Sequence, residues 1–262
     1  MDADLSHQQL AVPHVVRHYY MQQALARGFP RLARAPRPRD RSEVLQIIGY
    51  GASLLETWRS IDRDQPIMTL SGAHDFVISR NLLPAYHADC DPRAHKAEFV
   101  RFPGFAMQYL MASCCHPRSW EYLNQRNVTL WHKINGPETR AWLEQHHEDS
   151  PSLVAIEGCS IGIAALGLAR DALGFQRVRL FGFDSCYSED GELRAGFSEG
   201  AIQPIESMVV GGITYVTTEN MKRQALEFMT AAAGLEYEIV GDGLLKAIVN
   251  RERDKHAEEA TA

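Results

Sequence analysis

Apolar and polar positions along this chain fall in blocks that read alternately as strand and helix. Short apolar runs stand at 44–48 (VLQII), 66–70 (PIMTL), 106–113 (AMQYLMAS), 127–132 (NVTLWH), 153–158 (LVAIEG) and 178–184 (VRLFGFD). A shorter run, 85–89 (AYHAD), is equivocal. Helix-compatible stretches lie between them: SLLETWRSI from Ser53, the segment around 117–125, IGIAALGLARDALG at 161–174, and 219–233. Strands that are continuously apolar, rather than alternating, are buried on both faces, which predicts a mainly parallel sheet covered by helices. The predicted class is therefore α/β and doubly wound. Residues 207–218 (SMVVGGITYVTT) break the pattern. Two β-rich runs meeting at Gly211-Gly212 predict a hairpin, and EYEIVGDG supplies a last strand and turn.

Ahead of the sheet, residues 12–27 predict an amphipathic helix closed by Gly28, followed by the proline-rich linker FPRLARAPRPRDR. The expected organisation is an N-terminal helix and Arg/Pro-rich arm at 1–41, one domain at 42–250, and a charged tail at 251–262 expected to fray.

Composition narrows the function classes. The chain has 262 residues, 45% of them hydrophobic, enough for a large core without disulfide or metal staples. No apolar run approaches the roughly 18–20 residues of a membrane span. The polar, acidic opening residues predict no secretory leader, so a cytoplasmic location and no membrane partner are expected. Five cysteines (Cys90, Cys114, Cys115, Cys159, Cys186) without a C-x-x-C pair suit reduced thiols. Charge matters more by segment than in total. Residues 1–41 hold seven Arg against three Asp, a net of +4, whereas the remainder holds 20 basic and 30 acidic residues, a net of −10. Such an arm could grip phosphate or dock on an acidic surface of its own or a partner's chain; the favoured reading is a solvated lead-in. The acidic body disfavours nucleic acid as a partner. Homo-oligomerisation stays open.

In open parallel sheets ligands sit at the carboxyl ends of strands, near a topological switch point. Four turns occupy such places. Gly49-Tyr50-Gly51-Ala52-Ser53 lacks the third glycine of a dinucleotide fingerprint and the Lys of a Walker A loop. Its two glycines could still let backbone N–H groups reach a phosphate, with Ser53 capping the next helix; a plain tight turn is the alternative. Gly158-Cys159-Ser160-Ile161-Gly162 repeats the arrangement, with Ser160 as a natural N-cap. Two such turns suggest a ligand with two polar ends, a nucleotide plus a small-molecule acceptor. Gly182-Phe183-Asp184, followed by Tyr187, puts a carboxylate after a strand, where it could hold Mg²⁺ or a ribose, act as base, or simply cap a turn. Asp89-Cys90-Asp91 could put two carboxylates on one cation if extended. Arg93 and His95 could contact phosphate. Ser71, His74, His116 and His132 complete the strand-end polar groups.

These motifs carry a resemblance. IIGYGASL, PAYHADCDPR, SCCHP, LWHK and above all GCSIGIAALGLARDALGFQRVRLFGFDSCYSEDG look like the 6-hydroxymethylpterin diphosphokinase MptE-like family, over about residues 42–250. The block 158–191 is the most specific part. The family's Gly-Ser-Thr-Val-Gly turn is altered here by Cys159 and Ile161, while Gly158, Ser160, Gly162, Gly182, Asp184 and Tyr187 remain. The resemblance implies a Rossmann-like domain, ATP or another nucleotide as substrate, and Mg²⁺. The turn Gly49-x-Gly51-x-Ser53-Leu54 is also similar to the Gly-x-Gly-Pro-Ser-Leu opening of bacterial sialyltransferases, with Ala52 in place of proline. The expected function is a nucleotide-dependent transferase of the pyrophosphokinase kind. In it Gly49, Gly51, Ser53, Ser71, Gly158, Ser160, Gly162, Gly182 and Tyr187 hold nucleotide or phosphate. Asp89 and Asp91 hold Mg²⁺, and Asp184, His116 and His132 are the catalytic candidates. A nucleotide-sugar glycosyltransferase and a non-catalytic nucleotide- or partner-binding protein are the alternatives.

Overall fold

A computed structural model describes residues 12–123, 126–191, 195 and 205–261. The apolar runs form an eight-stranded sheet from β1 (Val44–Ile48), β2 (Ile67–Leu70), β3 (Tyr86–Asp89), β4 (Gln108–Ala112), β5 (Asn127–Ile134), β6 (Ala155–Glu157), β7 (Arg177–Phe181) and β10 (Glu236–Val240). Strand order is β10-β7-β1-β2-β3-β4-β5-β6, every neighbouring pair parallel. Strands β8 (Ile205–Val210) and β9 (Ile213–Thr218) pair antiparallel as a separate hairpin. Gly211 and Gly212 both have positive φ at its turn, as a two-residue primed turn requires. The fold is thus the expected α/β Rossmann-like one with a late hairpin.

Burial on both faces explains the continuous apolar strands. Leu45, Ile47, Met68 and Leu70 feed one core cluster, while their neighbours Ile48, Ile67 and Phe181 feed the second. The chain lays β1 to β6 outward in one direction, then returns to set β7 on the other side of β1. Loops leaving β1 and β7 therefore diverge, and the crevice between them is the switch point of the sheet.

Two departures from the sequence reading have physical causes. Residues 251–261, expected to fray, continue the helix Leu244–Thr261. Leu244, Leu245, Ile248 and Val249 bury its first turns, and the charged residues beyond are good helix formers that propagate it. The arm is not a solvated lead-in either. Leu32 N–H donates to Leu130 O (2.6 Å) and Leu130 N–H to Pro30 O (2.8 Å), while Val154 N–H donates to Leu32 O (2.9 Å). Residues 30–34 are thus wedged between β5 and the approach to β6. The arm then crosses to the amino ends of the strands, where the Arg39 guanidinium lies 4.5 Å from the Phe175 ring centre. Its arginines meet the acidic body: Arg31 with Glu148 (2.9 Å), Arg34 with Asp171 (3.4 Å), Arg41 with Glu236 (3.2 Å).

Glu148 also accepts from the largely buried His132 (3.1 Å). Arg31→Ala is expected to lower unfolding free energy by about 1–2 kcal/mol in urea, because it strips a forked partner from a partly buried carboxylate. Arg34→Ala, at a more exposed pair, should lose under about 1 kcal/mol. Equal losses would mean that the backbone ladder alone holds the arm.

Candidate functional site

Strand ends and loops enclose a cleft of 1380 Å³ at the carboxyl edge of the sheet. Its centre is the switch point. There the turns after β1 and β7 grip each other: Gly49 N–H donates to Phe181 O (2.7 Å) and Gly51 N–H to Gly182 O (3.0 Å). A Cβ on Gly51 would meet Asp184 Oδ2 at 2.5 Å, and one on Gly49 would meet Gly182 O at 2.6 Å. These glycines are required because two backbones touch. With their N–H groups engaged by β7, they have no amide hydrogen left for a phosphate.

An acidic group of the chain itself takes the place expected for that phosphate. Asp184 accepts from Ser53 N–H (2.8 Å) and from the Ser53 hydroxyl. Burial pushes the Asp184 carboxyl above the usual carboxylate range, against the pull of the Ser53 hydrogen bonds. Ser53 thus faces Asp184 and does not line the cleft.

The second turn opens the helix Ile161–Gly167. Ser160 caps it, accepting from Ile163 N–H (3.2 Å). Cys159 N–H donates to Glu227 Oε2 (3.0 Å), so the hairpin-following helix Glu219–Ala231 reaches over the turn. Lys133, at the end of β5, donates to Gly158 O. Ser71, Gly158, Ser160, Gly162, Gly182 and Tyr187 all line the cleft, as do Gly49 and Gly51.

The Asp89-x-Asp91 pair also lines it, in two different states. Asp89 ends β3 with 3% exposure, its Oδ1 accepting from Cys90 N–H (2.6 Å) and Asp91 N–H (3.1 Å). Burial first, and the Asp91 charge second, push its carboxyl up to about 7. Burial also acts upward on Asp91, but the hydrogen bonds and charge of Arg93 outweigh it and hold that carboxyl low; the two lie 2.5 Å apart. Among the described residues no group of three or more His, Cys, Asp or Glu side chains is placed to hold a metal ion.

Two catalytic candidates fall elsewhere. His132 is 1% exposed, with Nδ1 against Ser113 Oγ (2.8 Å) and Nε2 against Glu148; burial lowers its pKa, favouring the neutral ring. His116 packs edge-on against Tyr20 (5.1 Å) and accepts from Arg118 N–H. Neither lines the cleft. His116 follows β4 and packs against the N-terminal helix through Tyr20, whereas His132 stands within β5 rather than after it and is held by Ser113 and Glu148.

Sequence reasoning missed the cationic wall: Arg17, Lys96, Lys133 and Arg223 line the cleft beside Arg93. Lys133 had a legible signal, the one Lys, Arg, Asp or Glu in the buried strand β5. Arg17 had none, because only the folded position of the N-terminal helix brings it there. The buried thiols behave as expected. Cys90, Cys114 and Cys115 are free and buried, and burial pushes the Cys114 thiol up to about 11, away from reactivity.

No protein-family model matches the chain, and no curated protein matches it. Among solved structures it is similar to the MAf glycosyltransferase from Magnetospirillum magneticum AMB-1. The TM-score is 0.67 at 13% sequence identity, over 89% of this chain and 38% of that one. The chain thus spans well under half the length of this neighbour. Likeness at that identity defines the class as a Rossmann-like α/β fold. The resemblances to MptE-like diphosphokinases and to bacterial sialyltransferases rest on their motifs alone. No described helix is long and apolar enough to cross a membrane.

Proposed function

We propose that the chain is a nucleotide-sugar glycosyltransferase domain, in preference to a pyrophosphokinase. The observation that carries this is the cleft: 1380 Å³ at the switch point of a fold shared with a glycosyltransferase. That exceeds the roughly 300–1,000 Å³ of a single-ligand pocket and leaves room for a donor beside an acceptor. Because Gly49 and Gly51 have no free amide, the donor phosphates go to the cationic wall, chiefly Lys96 and Lys133.

Asp89 is the general base in this reading, in place of the two histidines. Its carboxyl changes state near neutral pH, where a base is most effective, and it borders the cleft. The acceptor hydroxyl oxygen attacks the anomeric carbon as its proton passes to Asp89. The bond to phosphate breaks, and the nucleotide leaves with the electron pair. Asp184, tied to Ser53, holds the two central turns together.

The pyrophosphokinase reading keeps the motif block 158–191 in its favour and calls for Mg²⁺. Asp89 and Asp91, the carboxylates expected to hold it, both border the cleft, with Asp91 already paired with Arg93.

Incubation with UDP-, GDP-, ADP- and CMP-sugars, read by nucleotide release on a column, should show one donor consumed. AMP release from ATP with a hydroxymethylpterin, and no turnover of any nucleotide sugar, would replace this reading with the kinase one.

A further inference from the structure

One corner of the cleft, beside Asp89, is lined by two aromatic rings that the reaction above leaves unused. Tyr50 and Ser71 each stand two residues past the registered pair Ile48 and Thr69, at the ends of β1 and β2. Ser71 and Asp89 each stand one residue past the registered pair Leu70 and Ala88, so they lie level. Tyr50, Ser71, Gly72 and Phe99 all line the cleft, and both rings are half-buried.

Two observations mark this corner as built for contact. Both rings converge on Gly72: a Cβ there would lie 2.7 Å from Tyr50 Cδ1 and 3.4 Å from Phe99 Cζ. Phe76 meets Tyr50 edge-on from the core at 6.0 Å and fixes that ring in place. Ser71 has a φ of +46°, a left-handed conformation that costs a non-glycine residue about 1–2 kcal/mol. Such strain gathers at ligand sites. Here it is held by the Ser71 N–H, which donates to Ala88 O (3.2 Å), next to Asp89.

The corner also adjoins the cationic wall, since the Lys96 ammonium lies 4.6 Å from the Phe99 ring centre. A nucleobase sits a full ribose away from the phosphates that Lys96 holds. The acceptor, by contrast, must reach both the base and the bond to the leaving phosphate. A place between Asp89 and Lys96 meets the acceptor's requirement.

We propose that Tyr50, Gly72 and Phe99 form the acceptor subsite and that the acceptor is a saccharide. This rests on the glycosyl-transfer reading above. A pyranose carries C–H groups on its faces and hydroxyls around its rim. The faces suit an aromatic corner, and the rim suits the Ser71 turn and the Asp91–Arg93 pair that border it. With the ring so placed, one hydroxyl gives its proton to Asp89 as its oxygen bonds the anomeric carbon and the donor phosphate leaves.

Saturation-transfer NMR of the full chain with the methyl glycosides of glucose, galactose, mannose and N-acetylglucosamine tests it, beside calorimetric titration with ADP, UDP, GDP and CDP. Irradiating only the aromatic protons of the unaltered chain should saturate the ring C–H protons of at least one glycoside. Tyr50→Leu and Phe99→Leu should each weaken that glycoside about fivefold or more, as expected for loss of an aromatic contact. Nucleoside diphosphate affinity should hold in both. Phe105→Leu, at an exposed ring outside the cleft, should bind like the unaltered chain. No transfer from the aromatic protons to any glycoside overturns the proposal, and this readout needs no variant to fold. Full glycoside affinity in a folded corner variant overturns it too. So does an equal loss of nucleotide affinity, which would give the corner to the nucleobase. A glycoside bound through the corner, with no nucleotide bound at all, supports the subsite while removing the nucleotide reading.

Discussion

Gly182→Ala should destabilise the protein by about 3 kcal/mol or more, a value reserved for a few mechanisms of which this combines two. The φ of +64° costs an alanine about 1–2 kcal/mol by itself. The added Cβ would then lie 2.8 Å from Gly49 O and 3.0 Å from Gly51 N, both backbone atoms that cannot swing aside. Relieving the contact means parting the turns after β1 and β7. That breaks the Gly51 N–H to Gly182 O bond and shifts Asp184 from Ser53. Gly191→Ala is the internal control. Its φ is +81°, yet nothing among the described residues lies within 4 Å, so the conformational cost alone should appear. Urea unfolding of both variants gives the comparison. If Gly182→Ala loses no more than Gly191→Ala, the two turns are not locked as described.

Asp89→Asn should raise stability and abolish turnover together. The folded pKa of about 7 lies above the unfolded value of 3.8, so the folded chain holds a proton that the unfolded chain releases. Stability from this group is complete below about pH 4 and is lost as pH rises toward 7. Asparagine keeps an oxygen for Cys90 and Asp91 N–H and carries no charge to bury. Its advantage over aspartate should therefore grow between about pH 4 and 7 and level off above, at up to about 4 kcal/mol. Glycosyl transfer should fall by about 100-fold or more, the usual worth of a positioned base. Equilibrium unfolding at several pH values checks the first half, and nucleotide release the second. A stability difference that is flat with pH would show that burial does not raise the Asp89 pKa above its unfolded value. Retained turnover would remove it from the reaction.

What was legible in the sequence was whatever depends on local pattern. The runs at 44–48 and 178–184 announced β1 and β7, and Gly211-Gly212 announced the hairpin, because apolar continuity and paired glycines have one structural solution each. The glycines of the first turn read as letting backbone N–H groups reach a phosphate, or as a plain tight turn; in the structure they meet the turn after β7 instead. Which atom comes close was not readable: Gly182 lies more than a hundred residues from Gly51 in sequence. The Asp89-x-Asp91 spacing was visible, but not that Arg93 would take one carboxylate while burial keeps the other protonated. His116, read as following the fourth strand, does so, while His132, read as following the fifth, lies within it; packing against Tyr20 and Glu148 decides which way each ring turns. Helix Pro137–Gln145 went unmarked because its apolar residues, Trp142 and Leu143, are few and sit beside polar ones.

The wedge at residues 30–34 has a consequence for how the molecule comes off the ribosome. Leu32 is synthesised roughly a hundred residues before Leu130, and longer still before Val154, the two residues whose backbone it bridges. The first well-placed piece of sheet is therefore among the last to find its position. Until then the facing edges of β5 and the 152–154 segment stand open in the nascent chain. Those open edges, more than any surface of the finished protein, are where a strand from a neighbouring chain would find a vacancy.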